Sequence, residues 1–196
     1  MAKRILLASV LGGLAYFFWG AVAHVATPLG TMGLSRLTPE REEAALSAMR
    51  EAAPESGMYF FPGMDMKGNP SESEVKAWEE RLHRGPSGLL IYTSSGAEAM
   101  SPRQLGTEFG IDVLVALLAS ILLSCTRLSY PGRVGYVALL GLFAFASISL
   151  SYWNWYHFTP DFTLAVLIEE AVGGLVLGAV VGAIVKPTVP AEPSTV

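Results

Sequence analysis

With one cysteine, Cys125, in 196 residues, no intrachain disulfide can staple any part of this chain, and thiol redox chemistry drops out as a function. Charge is scarce too. Only 15% of residues are Asp, Glu, Lys or Arg, the formal net charge is −4, and the basic residues form no cluster of the kind that binds nucleic acid. There is no nucleophile elbow, phosphate loop or zinc-protease helix. The Gly12-Gly13 and Gly173-Gly174 pairs lie inside apolar runs, where they read as packing, and Ser94-Ser95-Gly96 reads as a turn. Nor is there an internal repeat of the type that builds many transporters. These absences lean away from an enzyme and specify no cofactor.

What the chain does have is apolar sequence. Its hydrophobic share of 52% collects into four blocks, at 5–26, 109–126, 134–152 and 162–185, each long enough to cross a hydrocarbon core of about 30 Å as a helix. The expected fold is mainly α, a bundle of four transmembrane helices with a small α/β extracytoplasmic segment between helices 1 and 2. The expected division is 1–26 for the N-terminus and first helix, 27–107 for the external segment, 108–186 for helices two to four, and 187–196 for a Pro-rich disordered tail. A cleaved signal peptide is the alternative for the first block, since Lys3 and Arg4 precede an apolar run ending in Ala21-Val22-Ala23. The length of that run and its Tyr16, Phe17, Phe18 and Trp19 favour a retained helix approaching an interface.

Positive charge sets the orientation. Lys3, Arg4, Arg127, Arg133 and Lys186 fall on one side with Glu192 as the only acid, so that side, with both termini, is expected in the cytoplasm. The opposite short connection, 153–161, has no lysine or arginine and carries an aromatic belt with Tyr152, Trp153, Trp155 and Tyr156. Long translocated segments are largely exempt from the charge rule, so Arg36 and Arg81 do not oppose an external 27–107.

Within that segment, Thr38-Pro39-Glu40 opens a helix that should run to about Ala53, before Pro54. Residues 57–61 and 88–93 read as strands, and the Ser71…Glu74 capping box opens a helix through Trp78 to His83. Without a disulfide, about eighty residues of this kind are marginal alone and are expected to lean on the helix ends or on a partner. Ser101-Pro102 caps the second span, whose first turns, with Arg103 and Glu108, would stand above the bilayer.

The polar residues inside the spans are the functional candidates. Glu169 and Glu170 fall about eight positions into the fourth block, where an acid is costly and usually faces the bundle or a cavity. Glu170 begins a stripe through Gly174, Gly178 and Gly182 that suits close helix contact. His24 continues a stripe through Ala8, Gly12, Tyr16 and Gly20, and Asp112, four residues after Glu108, leads into Ala116, Ser120 and Ser124. His157 and Asp161 lie in the aromatic connection. One reading makes Glu169, Glu170, Asp112 and His24 ligands for a divalent metal or carriers of a proton, although no helix has Glu-x-x-His spacing. The other has the glutamates hydrogen-bonding serine, tyrosine or His24 to fix packing, with Asp112 and His157 at the wet interface. Met64-Asp65-Met66 could hold Cu(I) through its thioethers, or the methionines could be adaptable apolar filler.

The run Gly57-Met58-Tyr59-Phe60-Phe61-Pro62-Gly63-Met64-Asp65, with Met100-Ser101-Pro102-Arg103-Gln104-Leu105, resembles small uncharacterised bacterial inner-membrane proteins of this four-helix layout over most of the chain. The resemblance implies a bacterial cytoplasmic membrane and brings no activity, ligand or catalytic residue. The expected function is a non-catalytic membrane component, either a homo-oligomer or an accessory subunit of a larger complex, with its glycine stripes as helix contacts. The alternative is a small ion- or metal-handling membrane protein. The expected partners are the lipid bilayer and other membrane subunits or a second copy.

Overall fold

The structure, a computed structural model, describes residues 1–186. The side chain of Met66 and the tail at 187–196, expected to be disordered, lie outside the described residues. In chain order the helices are α1 (Ala2–Ala21), α2 (Pro39–Ala52), α3 (Glu72–Arg84), α4 (Pro102–Ser124), α5 (Tyr130–Ala144), α6 (Leu150–Tyr156) and α7 (Pro160–Ile184), and the strands are β1 (Gly57–Phe61) and β2 (Gly88–Tyr92). The chain divides into two compact units, Met1–Leu34 with the residues from Met100 onward, and Ser35–Ala99. Residues 27–34 and 100–107, expected in the external segment, thus fold with the long helices, and only 35–99 form the second unit.

In the first unit, four helical stretches are long and apolar enough to cross a membrane: Ala2–Ala26, Pro102–Ser124, Tyr130–Tyr156 and Pro160–Ile184. All four start before their apolar blocks, and the third also ends beyond its block, because helical hydrogen bonding continues through polar and aromatic ends that hydropathy discards. α4 begins at Ser101, whose Oγ accepts the Gln104 amide (3.3 Å) while Gln104 Oε1 accepts the Ser101 amide (2.9 Å). The third span runs through a π-helical turn, Phe145–Ser149, into α6, so the connection expected at 153–161 shrinks to 157–159. His157, at a φ of 59°, closes α6, and Thr159 Oγ1 caps α7 by accepting the Phe162 amide.

α7 lies against α5 and α1, and α4 packs on α1. These helices approach closely because the facing residues are small. A Cβ added at Gly174 would stand 2.8 Å from Ala138 Cα, and one at Gly178 would stand 2.8 Å from the Val134 carbonyl oxygen. Gly182 faces Arg133 Cβ, and Gly12 faces Val181 and Leu177. Gly20 departs from its expected packing role, since a Cβ there would meet nothing within 4 Å. The neighbouring helices have parted at that level, and Gly20 lines the space between them. At the other end, Tyr130 Oη donates to the Ala179 carbonyl and Arg133 Nη1 to that of Val185, pinning the last turn of α7 to α5.

In the second unit β1 and β2 pair antiparallel, from Gly57 opposite Tyr92 to Phe61 opposite Gly88. α3 connects them and is tied to the end of β1: Trp78 Nε1 donates to the Pro62 carbonyl (2.8 Å) and Arg81 Nη2 to that of Gly63 (3.2 Å). The capping box is formed, with the Ser71 amide and hydroxyl both donating to Glu74 Oε2. Those two donors hold the Glu74 carboxyl below its ordinary range, the backbone amide contributing most.

Candidate functional site

Where α1 nears its end, its hydrogen bonding changes to a π-helical turn, Val22–Ala26, and the chain then folds back through a 3₁₀ turn, Pro28–Gly30. A π turn inserts a residue and re-aims the side chains around it. His24 sits in this one, with its Nε2 2.9 Å from Glu169 Oε1 on α7. Gly30 has no room for a side chain because the His24 backbone lies against it. Gly33, at a φ of 78°, fits against the start of α7, where Thr159 Oγ1 donates to its carbonyl (3.4 Å).

Deeper along α1, Tyr16 Oη donates to Glu170 Oε2 (3.2 Å), and Trp19 Nε1 donates to the Glu169 main-chain carbonyl (3.0 Å). Both rings lie over Gly173, where an added Cβ would come within 2.5 Å of Tyr16 and 3.0 Å of Trp19. α1 is thereby fastened to α7 by polar contacts just where α7 carries its two acids.

α4 completes the site. Asp112 is 5% exposed, and its face of the helix, through Ala116, Ser120 and Ser124, is buried. Among the described residues no hydrogen bond or ion pair reaches the Asp112 carboxylate. Glu108, one turn earlier, is exposed. The three helices enclose a groove of about 470 Å³ whose walls include Tyr16, Trp19, His24, Glu108, Asp112, Glu169 and Glu170. Phe17 adds an edge-to-face contact with Phe109 (5.9 Å between centroids). Among the described residues no lysine or arginine lines the groove.

All four leading candidates, Glu169, Glu170, Asp112 and His24, therefore border one space. Yet among the described residues no three His, Cys, Asp or Glu side chains converge as a metal site. Two of the acids are already engaged, Glu169 by His24 and Glu170 by Tyr16. Asp112 is buried rather than at a wet edge, which corrects that expectation; it faces the bundle because its stripe is small enough for α1 to cover. His157 and Asp161 are exposed and do not line the groove. Met64 lies in the second unit, in a hollow whose lining includes Asp65, Glu74, Glu80, Arg81 and Arg84, apart from the groove. The side chain of its companion Met66 lies outside the described residues.

Sequence reading missed Tyr16 and Trp19 as site residues, taking their cluster for interface aromatics. The available signal was Tyr16 falling in register with Gly12 and His24. No protein-family model matches the chain, and no curated protein or solved structure matches it either.

Proposed function

We propose that this chain is a multi-pass protein of a bacterial cytoplasmic membrane that works without catalysis, by holding a cation in the groove among α1, α4 and α7. Both termini would be cytoplasmic and residues 27–107 extracytoplasmic, as the Lys and Arg distribution and the family resemblance favour. The observation that carries the proposal is Asp112: a carboxylate 5% exposed, facing a groove, without a partner among the described residues. Burying an unpaired charge is costly, and an ionisable residue inside an apolar bundle points to something bound or transferred there. The second acid at the mouth, Glu108, and the absence of lysine or arginine from the walls make the groove attractive to positive charge. Among the described residues no three acidic, imidazole or thiol groups converge as a divalent or transition metal would need, so the proposal is for a proton, an alkali ion or an organic cation.

The test is cation binding and flux in proteoliposomes for the wild type and Asp112→Asn. Loss of binding or flux in a variant that still assembles is expected. Equal behaviour of the two proteins sinks the proposal.

A second reading, an accessory subunit or homo-oligomer, is favoured by the third span. Only 11% of its apolar window is buried, against 33% for α7, and Leu139 and Phe143, one turn apart, are 62% and 70% exposed. That face is free for another subunit. The glycine stripe on α7 is not, because α5 occupies it. Native mass spectrometry of gently extracted protein decides: bound polypeptides support this reading, and a bare monomer removes it.

A further inference from the structure

We infer that the groove is built for an ammonium group, carried by a lipid headgroup or by a free amine, with Asp112 as its counter-ion and Tyr16, Phe17 and Trp19 as its aromatic wall. This rests on the cation reading above and names the chemical class of the cation.

Four carboxylates border the groove, but they are not equivalent. Glu170 accepts from Tyr16 at 3.2 Å and Glu169 lies 2.9 Å from His24, so both have partners within the chain. Asp112, at 5% exposure, has none among the described residues and lines the groove at a buried level. Glu108, exposed and one turn toward the mouth, lies on the same side of α4. An entering cation thus meets first an exposed carboxylate and then a nearly buried one that faces the groove.

Size and lining narrow the class. A bare metal ion needs a cage of several oxygen donors at short range, and among the described residues no three acidic or imidazole groups supply one. The volume of about 470 Å³ is that of a small-molecule site. An ammonium offers several N–H donors to the two oxygens of Asp112 and is attracted by the faces of aromatic rings. Leu105 and Val25 in the same lining suit the carbon chain that carries it. A hydrated alkali ion would use none of the aromatic or aliphatic wall.

The test uses the full-length protein, delipidated in detergent, with phosphatidylethanolamine, phosphatidylglycerol and free ethylammonium as probes and native mass spectrometry as the readout. The expected result is an ammonium preference lost by about tenfold or more in Asp112→Asn. In Glu108→Gln, at an exposed site that leaves the fold intact, the expected loss is about threefold. Phosphatidylethanolamine held over phosphatidylglycerol and not displaced by ethylammonium assigns the site to a lipid headgroup. Ethylammonium that binds by itself, or displaces that lipid, assigns it to a free amine. Equal retention of the two lipids with no ethylammonium binding to the wild type overturns the inference, whether or not Asp112→Asn assembles. In that case Asp112-dependent binding of rubidium keeps the cation reading without the ammonium, and its absence removes both.

Discussion

Along the second half of α7, Gly174 and Gly178 bring α5 so close that a Cβ would come within 2.8 Å of its backbone, whereas the preceding turns carry Glu169 and Glu170 beside a groove of about 470 Å³. One half is defined by missing side chains and the other by polar ones. Where side chains are absent, backbones touch, nothing enters, and the helix pair is fixed by exclusion. α5 stays close at Glu170 as well, where a Cβ at Gly141 would meet the Glu170 carbonyl oxygen at 2.6 Å, but on the side toward α1 and α4 the helices part and the polar contacts are Tyr16 to Glu170, Trp19 to the Glu169 carbonyl and His24 to Glu169. These hold the two walls of the groove at a set separation without filling it. The same helix thus anchors the bundle at one end and opens it at the other.

The sharpest way to break that contrast is to give the closed half a side chain. Gly178→Leu would force a branched group against the Val134 carbonyl oxygen and α-carbon, both backbone atoms that cannot rotate aside. Overpacking of this kind costs about 3 kcal/mol, the largest effect expected here. Thermal unfolding in detergent should show a large drop, or a chain that no longer elutes as a single species. A wild-type melting curve would mean that α5 does not seat on that glycine.

On the open half, Tyr16→Phe removes the hydroxyl that donates to Glu170 and leaves a partly buried carboxylate without that donor. The expected loss is about 1.5 kcal/mol. Glu170→Gln should lose less, since the amide oxygen still accepts from Tyr16. If the two variants unfold alike, and like wild type, the contact does not set the groove wall.

How much of this was readable in the sequence follows the same division. The four spans were legible because hydropathy sums over many residues. Their ends were not, because Tyr130, Trp153 and Trp155 are helical yet too polar or aromatic to count as apolar. That Glu170, Asp112 and His24 each face inward was legible from stripes at fourfold spacing, which state the inward face of each helix; that they border one space with Glu169 came from the structure. Tyr16 and Trp19 were not, because their partner is Gly173 on another helix, and single-helix periodicity gives no register between helices. Gly20 misled for a related reason: a stripe says which way a residue faces, not how far the neighbouring helix follows it. The capping box at Ser71 and Glu74 was legible outright, being a local pattern whose donors and acceptor lie within one turn.

Asp112 sharpens the comparison in the opposite direction from Tyr16. It is buried with no partner among the described residues, so in protein free of ligand its charge costs stability instead of adding to it. Asp112→Asn keeps the shape and removes the charge, and should raise the unfolding temperature of ligand-free protein, by the equivalent of about 1 kcal/mol, while cation binding is lost. Calorimetry on delipidated protein would register it. A fall in stability would show that the carboxylate is already held by something in the folded chain.

The smallest effect is expected where the two halves of the comparison meet on α1. Gly12 and Gly20 belong to one stripe and face the same side, yet a Cβ at Gly12 would strike Val181 at 2.7 Å while one at Gly20 would meet nothing within 4 Å. Gly12→Ala should therefore destabilise through the α1–α7 contact. Gly20→Ala, in open space within a helix, should gain about 0.5 kcal/mol from reduced backbone freedom in the unfolded chain. The pair makes a control in which chemistry and helix are constant and only the distance to the neighbour changes. Parallel unfolding curves should move in opposite directions. Should Gly20→Ala instead cost as much as Gly12→Ala, the helices would have to be closed at that level, and there would be no groove for Asp112 to face.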